Sequence, residues 1–373
     1  MKTVCSENQC VGCKACITVC KHGAITVIDD GICLNAVIDE TKCMNCSSCY
    51  RICQNNSEIL YYSPVYWKQG WTSDEIRMTS SSGGIAQSLM RTFLTKGGEV
   101  YSCTYKYGEF IYRKVNSVEN TKDFVGSKYV KSCPDTVFSP IKETLKKGSK
   151  VLFIGLPCHV QALKLFVGKY SENLYCVDLI CHGTPSREML KRYLKEEGVE
   201  INTVTRISFR NQNRFFLRVD NELLSNNDID YWIYPFLKGL TYTENCYNCK
   251  FARFERVSDM TIGDAWGTNL SKEEQSKGIS LMLINTQKGN ELLKSIEVYL
   301  EEVDIERIKE RNTQLVKPSE KPVERMIFES NYQNGYKKTI KKCYGKLILK
   351  KKLRNTFIGK VYKKLTVKTG NDI

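Results

Sequence analysis

Eight cysteines before residue 54 repeat one spacing twice: Cys10, Cys13, Cys16 and Cys20 stand at C-x2-C-x2-C-x3-C, and Cys43, Cys46, Cys49 and Cys53 do so again. Three thiolates at two-residue intervals wrap one face of an iron–sulfur cube. The fourth, three residues on, points away and in a tandem pair ligates the other half's cluster. The spacing therefore assigns Cys10, Cys13, Cys16 and Cys53 to one [4Fe-4S] cluster, and Cys43, Cys46, Cys49 and Cys20 to a second. Zinc modules use cysteine pairs rather than such triplets. A secreted disulfide framework would want an export signal, and the opening MKTVCSENQC has no apolar core. Between the two runs, AITVIDD and CLNAVIDE flank Asp29-Asp30-Gly31, a hairpin signal.

Four further cysteines depend on the fold to meet. KVLFIGLPC (150–158) reads as a buried strand running into Pro157-Cys158, with a helix from His159 to Phe166. NLYCVDLICHGTPS (173–186) reads as a second strand running into Cys181-His182-Gly183, with another helix from about Pro185. Strand, helix, strand predicts parallel pairing. Cys158 and Cys181 then lie just past the carboxyl ends of their strands, where open α/β sheets hold ligands. With Cys246 and Cys249 of the CYNC loop they make four thiolates, which suit a third [4Fe-4S] cluster or a structural zinc; spacing alone does not choose. Cys5, Cys33, Cys103, Cys133, Cys176 and Cys343 have no such grouping, and Cys176 reads as a core residue within a strand.

Other stretches have weaker chemistry. A linker rich in Tyr, Ser and Trp spans 55–73, and Ser80-Ser81-Ser82-Gly83-Gly84 then opens an amphipathic helix through IAQSLMRTFL. Hydroxyls and free N–H groups at a helix start suit a phosphate, although alone the motif reads as a plain cap with loop glycines. Gly126-Ser127-Lys128-Tyr129-Val130 is phosphate-friendly in the same way, or an ordinary loop. Thr261-Ile262-Gly263-Asp264 ends a strand on a carboxylate, and Trp266 follows between small residues, which suits the edge of a flat cofactor or a turn with a core tryptophan. VYSCTY reads as a strand, and ISLMLINTQKGNELLKSI as a strand, a glycine-containing turn and a helix.

The net charge of +15 is unevenly placed. From Lys337 onward there are thirteen lysines and arginines against Asp372 alone, which leaves only +3 for the 336 residues before them. Phe357, Ile358, Val361, Tyr362 and Leu365 share one helical face of this tail, opposite Lys360, Lys363 and Lys364, with Gly345 and Gly359 interrupting it. Such a segment suits peripheral contact with an anionic membrane or a partner, and a solvated terminus explains it nearly as well. No basic aromatic-studded groove accompanies the charge, so nucleic acid is not an expected partner. No apolar run approaches the ~20 residues of a membrane span. Eighteen cysteines without an export signal point to a reducing cytoplasm, with the tail at the inner membrane face if it docks there.

The N-terminal run resembles the bacterial two-cluster ferredoxins, departing from them where Lys21 and Gln54 replace the usual proline after the fourth cysteine. Together SSSGG, GSKYV, GLPCHVQAL, DLICHGTPS, CYNCKFARFERVSDMTIGDAWG and the GISLMLINTQKG run, in this order over ~70 to ~300, resemble the coenzyme F420 hydrogenase/dehydrogenase beta-subunit family. The resemblance implies a third [4Fe-4S] cluster on Cys158, Cys181, Cys246 and Cys249, and FAD held by Ser81, Ser82, Gly83, Gly84, Ser127, Lys128 and Asp264. It implies an α/β chain, α+β overall. A ferredoxin-like module (1–60) precedes an FAD and iron–sulfur domain with a largely parallel sheet (61–310) and a basic extension (311–373).

Clusters pass electrons singly and a flavin stores two. The expected activity is an oxidoreductase taking electrons from a ferredoxin-like donor or a subunit of a larger complex, through three clusters and FAD, to a small hydride-accepting substrate. F420-like molecules and surface-polysaccharide precursors are the substrate classes that the resemblance suggests. His182 and His159, each following a cysteine of the third set, are the candidate proton carriers. The rival reading is a non-catalytic electron-transfer subunit of a larger redox complex.

Overall fold

The computed structural model describes residues 1–224 and 230–355. Near the N-terminus, β1 (Ile25–Asp29) and β2 (Leu34–Ile38) pair antiparallel about the expected turn. Gly31 takes φ 93° there, while Asp30 accepts from the N–H groups of Ile32 and Cys33. A short helix on each side, Ala15–Val19 and Ser48–Ile52, completes the module.

The body is one eight-stranded sheet in the order β13-β3-β12-β11-β7-β6-β4-β5. These strands are β3 (Tyr66–Trp71), β4 (Glu99–Lys106), β5 (Glu109–Val115), β6 (Val151–Gly155), β7 (Leu174–Leu179), β11 (Met260–Asp264), β12 (Ser280–Ile284) and β13 (Tyr299–Glu301). A separate antiparallel sheet holds β8 (Ile207–Asn211), β9 (Arg214–Val219) and β10 (Glu222–Leu223). The expected parallel pairing is the core of the large sheet: β4, β6, β7 and β11 run parallel, and the strands flanking them are antiparallel.

β6 is buried throughout because both sheet faces are covered. Val151 and Phe153 face one apolar cluster with Val160, Leu163 and Phe166 of the helix Pro157–Val167. Leu152 and Ile154 face another with Leu89 and Met90 of the helix Ile85–Thr95. Cys176 is buried in β7, among the first of these clusters. A further cluster joins the helices Arg187–Glu196, Arg325–Asn331 and Tyr336–Asn355 to the small sheet. In it Tyr336, Ile340 and Tyr344 are buried, so the start of the basic segment packs on the body. The last helix kinks at Tyr344, next to Gly345. Phe357, Ile358, Val361, Tyr362 and Leu365 lie outside the described residues. Among the described residues no helix is long and apolar enough to cross a membrane.

Two readings need correction. The stretch 55–73 is not all linker: Tyr66–Trp71 forms β3, paired with β12 on one side and β13 on the other. Lys68, Gln69 and Gly70 hid it, since a strand with two polar residues and a glycine does not read as buried. Gly70 is there because β13 passes so closely that a Cβ would stand 1.9 Å from the Tyr299 carbonyl oxygen. Gly70→Ala should displace β13 and destabilise the protein by about 1–3 kcal/mol, measured by urea unfolding.

Gly289, expected in a turn, lies instead within the helix Gln287–Lys294. It is required there by the Asp259 carbonyl, 2.0 Å from where its Cβ would be.

Candidate redox centres

The two N-terminal runs take the same backbone path. Gly12 and Asn45 have φ of 73° and 53°, and Lys14 and Ser47, ahead of the two short helices, have 56° and 58°. Left-handed residues between successive cysteines curl each loop around a point. Cys20 and Cys53 then cap the helices in extended conformation and leave their own loop. A small cavity is lined by Cys10, Cys13 and Cys16 from one loop and by Cys53 from the other. Conversely, Cys49 senses the charges of Cys43 and Cys20. The cavity thus groups the fourth cysteine of the second run with the first set.

Burial pushes the Cys16 thiol up to about 12, helped by Cys13, and Gly12 N–H approaches Cys10 Sγ at 3.4 Å. Thiols so crowded do not all ionise without a cation among them, which suits a positively charged iron–sulfide core. The cavity also holds two groups the spacing did not predict. Cys5 shares a hydrogen bond with Cys10 that draws its own thiol down and drives that of Cys10 up. Gln54, standing where the ferredoxins have proline, is buried with neither side-chain polar atom partnered among the described residues.

The second set of thiols assembles at the sheet's carboxyl edge. Cys158 sits in the first turn of the helix after β6, Cys181 two residues past the end of β7, and Cys246 and Cys249 in the loop before β11. Burial raises the Cys181 thiol to about 12, reinforced by Cys246 and Cys249. Cys158 is driven well up by burial and by Cys181, Cys249 and Cys246, against Lys131. Cys246 alone of the four is drawn below the ordinary thiol value: burial raises it, but Lys131 and the Thr243 hydroxyl, 3.4 Å away, outweigh that.

These four thiols also fit a positively charged core. Among the described residues no three His, Cys, Asp or Glu side chains converge on a point close enough for one metal ion. The first cysteine loop packs on this set, since Val11, Cys13 and Ala15 share an apolar cluster with Val160, Phe251, Cys158 and Cys249.

Beyond Cys181 lie the residues expected at the flavin. Arg210, from β8, grips both oxygens of Asp264 at 2.6 and 3.1 Å and donates to the Ser81 carbonyl at 2.7 Å. The Ser127 N–H donates to Ser81 Oγ at 2.8 Å. Rings of Phe215 and Trp266 flank the guanidinium at 5.0 and 5.8 Å, and Tyr129 Oη accepts from it at 3.3 Å. Ser81, Ser127 and Asp264 are therefore brought together, with Arg210 as the residue that joins them. The helix Ile85–Thr95 begins beside them without a side-chain cap, leaving its first N–H groups for a ligand.

Gly83 and Gly84 answer to packing as well: a Cβ would meet the Gly70 carbonyl at 2.4 Å and Thr72 Oγ1 at 2.5 Å. Ser82 Oγ donates to Ile279 O at 2.8 Å. Lys128 is not brought in, because its ammonium turns inward to the carbonyls of Phe124 and Val125 at 2.7 and 3.0 Å. The uncapped helix, the serines and the aromatic wall fit the phosphates and ring of an FAD; the Lys128 charge does not contribute.

The two histidines diverge. His159 is fully buried with Nδ1 3.2 Å from Tyr112 Oη, and burial, aided by Lys131, holds its pKa at about 3. His182 follows β7, which runs parallel to the β11 strand that ends on Asp264, and burial lowers its pKa, with Asp264 opposing and Arg210 adding to the fall. A larger open groove lined by Tyr234, Pro322 and Tyr344 carries none of these residues.

Arg210, Lys131, Cys5 and Gln54 escaped sequence reasoning. Arg210 breaks strand alternation by being buried next to Phe209, through a register shift between Ser208 and Arg210 that no local signal announces.

Comparison with known proteins places this arrangement. Residues 148–308 match the model for the C-terminal region of the coenzyme F420 hydrogenase/dehydrogenase beta subunit, and residues 6–26 match the 4Fe-4S binding domain. No curated protein matches the chain. Among solved structures, the fold is similar to a chain of the xenon-derivatised F420-reducing [NiFe] hydrogenase complex from Methanosarcina barkeri. That match has a TM-score of 0.50 and 17% identity, and covers 73% of this chain and 94% of that one. Residues 148–308 are thus similar to the C-terminal region of the coenzyme F420 hydrogenase/dehydrogenase beta subunit, and they follow a segment, 6–26, that is similar to the 4Fe-4S binding domain.

Proposed function

We propose that the chain is an iron–sulfur flavoprotein oxidoreductase that moves electrons between a protein partner and a small hydride-accepting substrate. The observation that carries this reading is the contiguity of three cysteine sets with the Ser81–Arg210–Asp264 site. Cys43, Cys46 and Cys49 lie at or near the surface, Cys10, Cys13 and Cys16 are buried behind them, and Val11 and Cys13 pack towards Cys158 and Cys249. His182 follows Cys181 directly, past the end of β7, and β7 runs beside the β11 strand that ends on Asp264.

When bound, the clusters would supply single-electron steps, and FAD two-electron storage with hydride exchange. The residues' own parts follow from their placement. The exposed Cys46 edge is where a ferredoxin-like donor, or another member of a redox complex, comes within reach. Arg210 fixes Asp264 and the Ser81 turn, and Trp266 and Phe215 wall the site. His182, kept neutral by burial, is the group that holds or passes a proton there. His159, enclosed with Tyr112, keeps a structural role. F420-like molecules, flat and conjugated, are the leading substrate class, with a surface-polysaccharide precursor as the other.

A non-catalytic electron-transfer role within a larger assembly is the second reading, favoured by the fact that the similar solved chain is part of a complex. Iron and flavin content of anaerobically purified protein, with spectra before and after dithionite, separates the two. We expect about twelve irons and one FAD per chain, consistent with three four-iron clusters. About eight irons and no flavin would overturn the enzyme reading and leave an electron carrier.

A further inference from the structure

Lys131 is a buried cation between two cysteine sets. Its N–H donates to the Pro185 carbonyl at 2.8 Å, just past the Cys181–Gly183 loop. Its stem passes Gly12, between Cys10 and Cys13, within ordinary contact, since a Cβ there would lie 3.5 Å from Lys131 Cδ. The ammonium donates to Asn245 Oδ1 at 3.3 Å and stands 3.9 Å from Cys246 Sγ. The residue is 8% exposed. Its charge reaches Cys246, Cys158, Cys181 and Cys10.

An ammonium withdrawn from water is costly unless negative charge faces it. An iron–sulfur cluster held by four thiolates is negative, and more so by one charge when reduced. A cation between two such clusters stabilises the reduced state of each.

We infer that Lys131 is the shared countercharge of the clusters on Cys10/Cys13/Cys16/Cys53 and Cys158/Cys181/Cys246/Cys249, setting both potentials so that an electron passes readily between them. In that step one cluster is oxidised as the other is reduced, and no bond forms or breaks. Lys131 is a positioning residue in this role, and the inference rests on the three-cluster reading above.

The test is an EPR-monitored redox titration of the full chain, purified anaerobically and checked for iron, as wild type, Lys131→Met and Lys131→Arg. Methionine keeps an unbranched stem over Gly12 and removes the charge. A unit charge in contact with a ligand sulfur shifts a one-electron equilibrium by well over tenfold where water is scarce. Reduction of two of the three clusters should become at least tenfold less favourable in Lys131→Met, about 59 mV or more for a one-electron couple. The cluster on Cys20/Cys43/Cys46/Cys49 and all three in Lys131→Arg should stay close to wild type.

Unmoved potentials in Lys131→Met, equal shifts in Met and Arg, or a uniform shift of all three would overturn the inference. Should Lys131→Met fail to load iron, Lys131→Gln takes its place. Iron loss in both neutral variants with recovery in Lys131→Arg supports a role for the charge, and loss in all three variants overturns it. Wild type with about eight irons would end the three-cluster reading and this inference with it, whereas unmoved potentials in fully loaded protein would end this inference alone.

Discussion

Arg256→Leu should destabilise the loaded protein by about 3–5 kcal/mol and reduce iron by up to about four atoms per chain. The Arg256 guanidinium is buried against an equally buried Asp178, at 3.2 Å, near the end of β7. It also donates to the carbonyls of Phe251, Arg253 and Leu179, and to Thr261 Oγ1. Its backbone pairs with Tyr62, on the chain leaving the ferredoxin module. One side chain thus ties the loop of Cys249 to the strand that presents Cys181. Removing it strands the Asp178 carboxylate in a dry site and frees four carbonyl and hydroxyl acceptors at once.

Arg256→Lys should recover only part of the loss, because an ammonium does not reproduce the planar fork. The pair Asp178→Asn with Arg256→Leu should recover more than the second change alone, since no unpaired charge is left behind. Urea unfolding under argon, with iron counts on the same samples, measures both effects. Wild-type iron and midpoint in Arg256→Leu would show that Arg256 does not hold the two loops together.

Arg210→Met is the second change with a large expected effect. Arg210 joins β8 to Asp264 and to the Ser81 turn, so its loss uncouples the small sheet from the proposed flavin site. Asp264 is partly exposed, so its carboxylate remains hydrated and the stability cost is smaller, about 2 kcal/mol for a charged hydrogen-bonded pair. Flavin retention should suffer more, by at least tenfold in dissociation constant, because a site held loosely loses orientation before the fold loses stability. Flavin absorbance after gel filtration reports the affinity, and urea unfolding reports the stability. Flavin loss without a matching fall in midpoint is the expected pattern; a fall in midpoint with full flavin would make the pair purely structural.

How far the sequence speaks depends on how local the information is. The two four-cysteine runs and the hairpin between them are local, and spacing within a few residues determines which sulfurs face together. β6 is legible because it is apolar throughout, and β7 because it is apolar but for Asp178; both are followed by helices, and the parallel rule then carries Cys158 and Cys181 to one edge. β3 is not, because its burial comes from neighbours far along the chain and not from its own YWKQGW.

Within the site the same distinction holds. Asp264 is marked by a strand ending in Gly-Asp, whereas Arg210 is turned inward by a shift of register between two strands. Lys131 carries no mark of its own; it matters because Gly12, Pro185 and the Asn245–Cys246 pair converge on it from three distant segments. Gly83 and Gly84 suggest space for a ligand when read in sequence, yet Gly70 and Thr72 occupy the space beside them.

The placement of β3 bears on how the molecule comes to be made. Its partners in β12 lie about two hundred residues later in the chain, while β4, β6 and β7 are much closer together in sequence. Contacts that close long loops form late, so during synthesis the middle of the sheet assembles well before β3 is seated. The ferredoxin module hangs directly on β3. The module precedes β3 in the chain, so it is made before the strand that anchors it and is held to the body only once β3 finds β12.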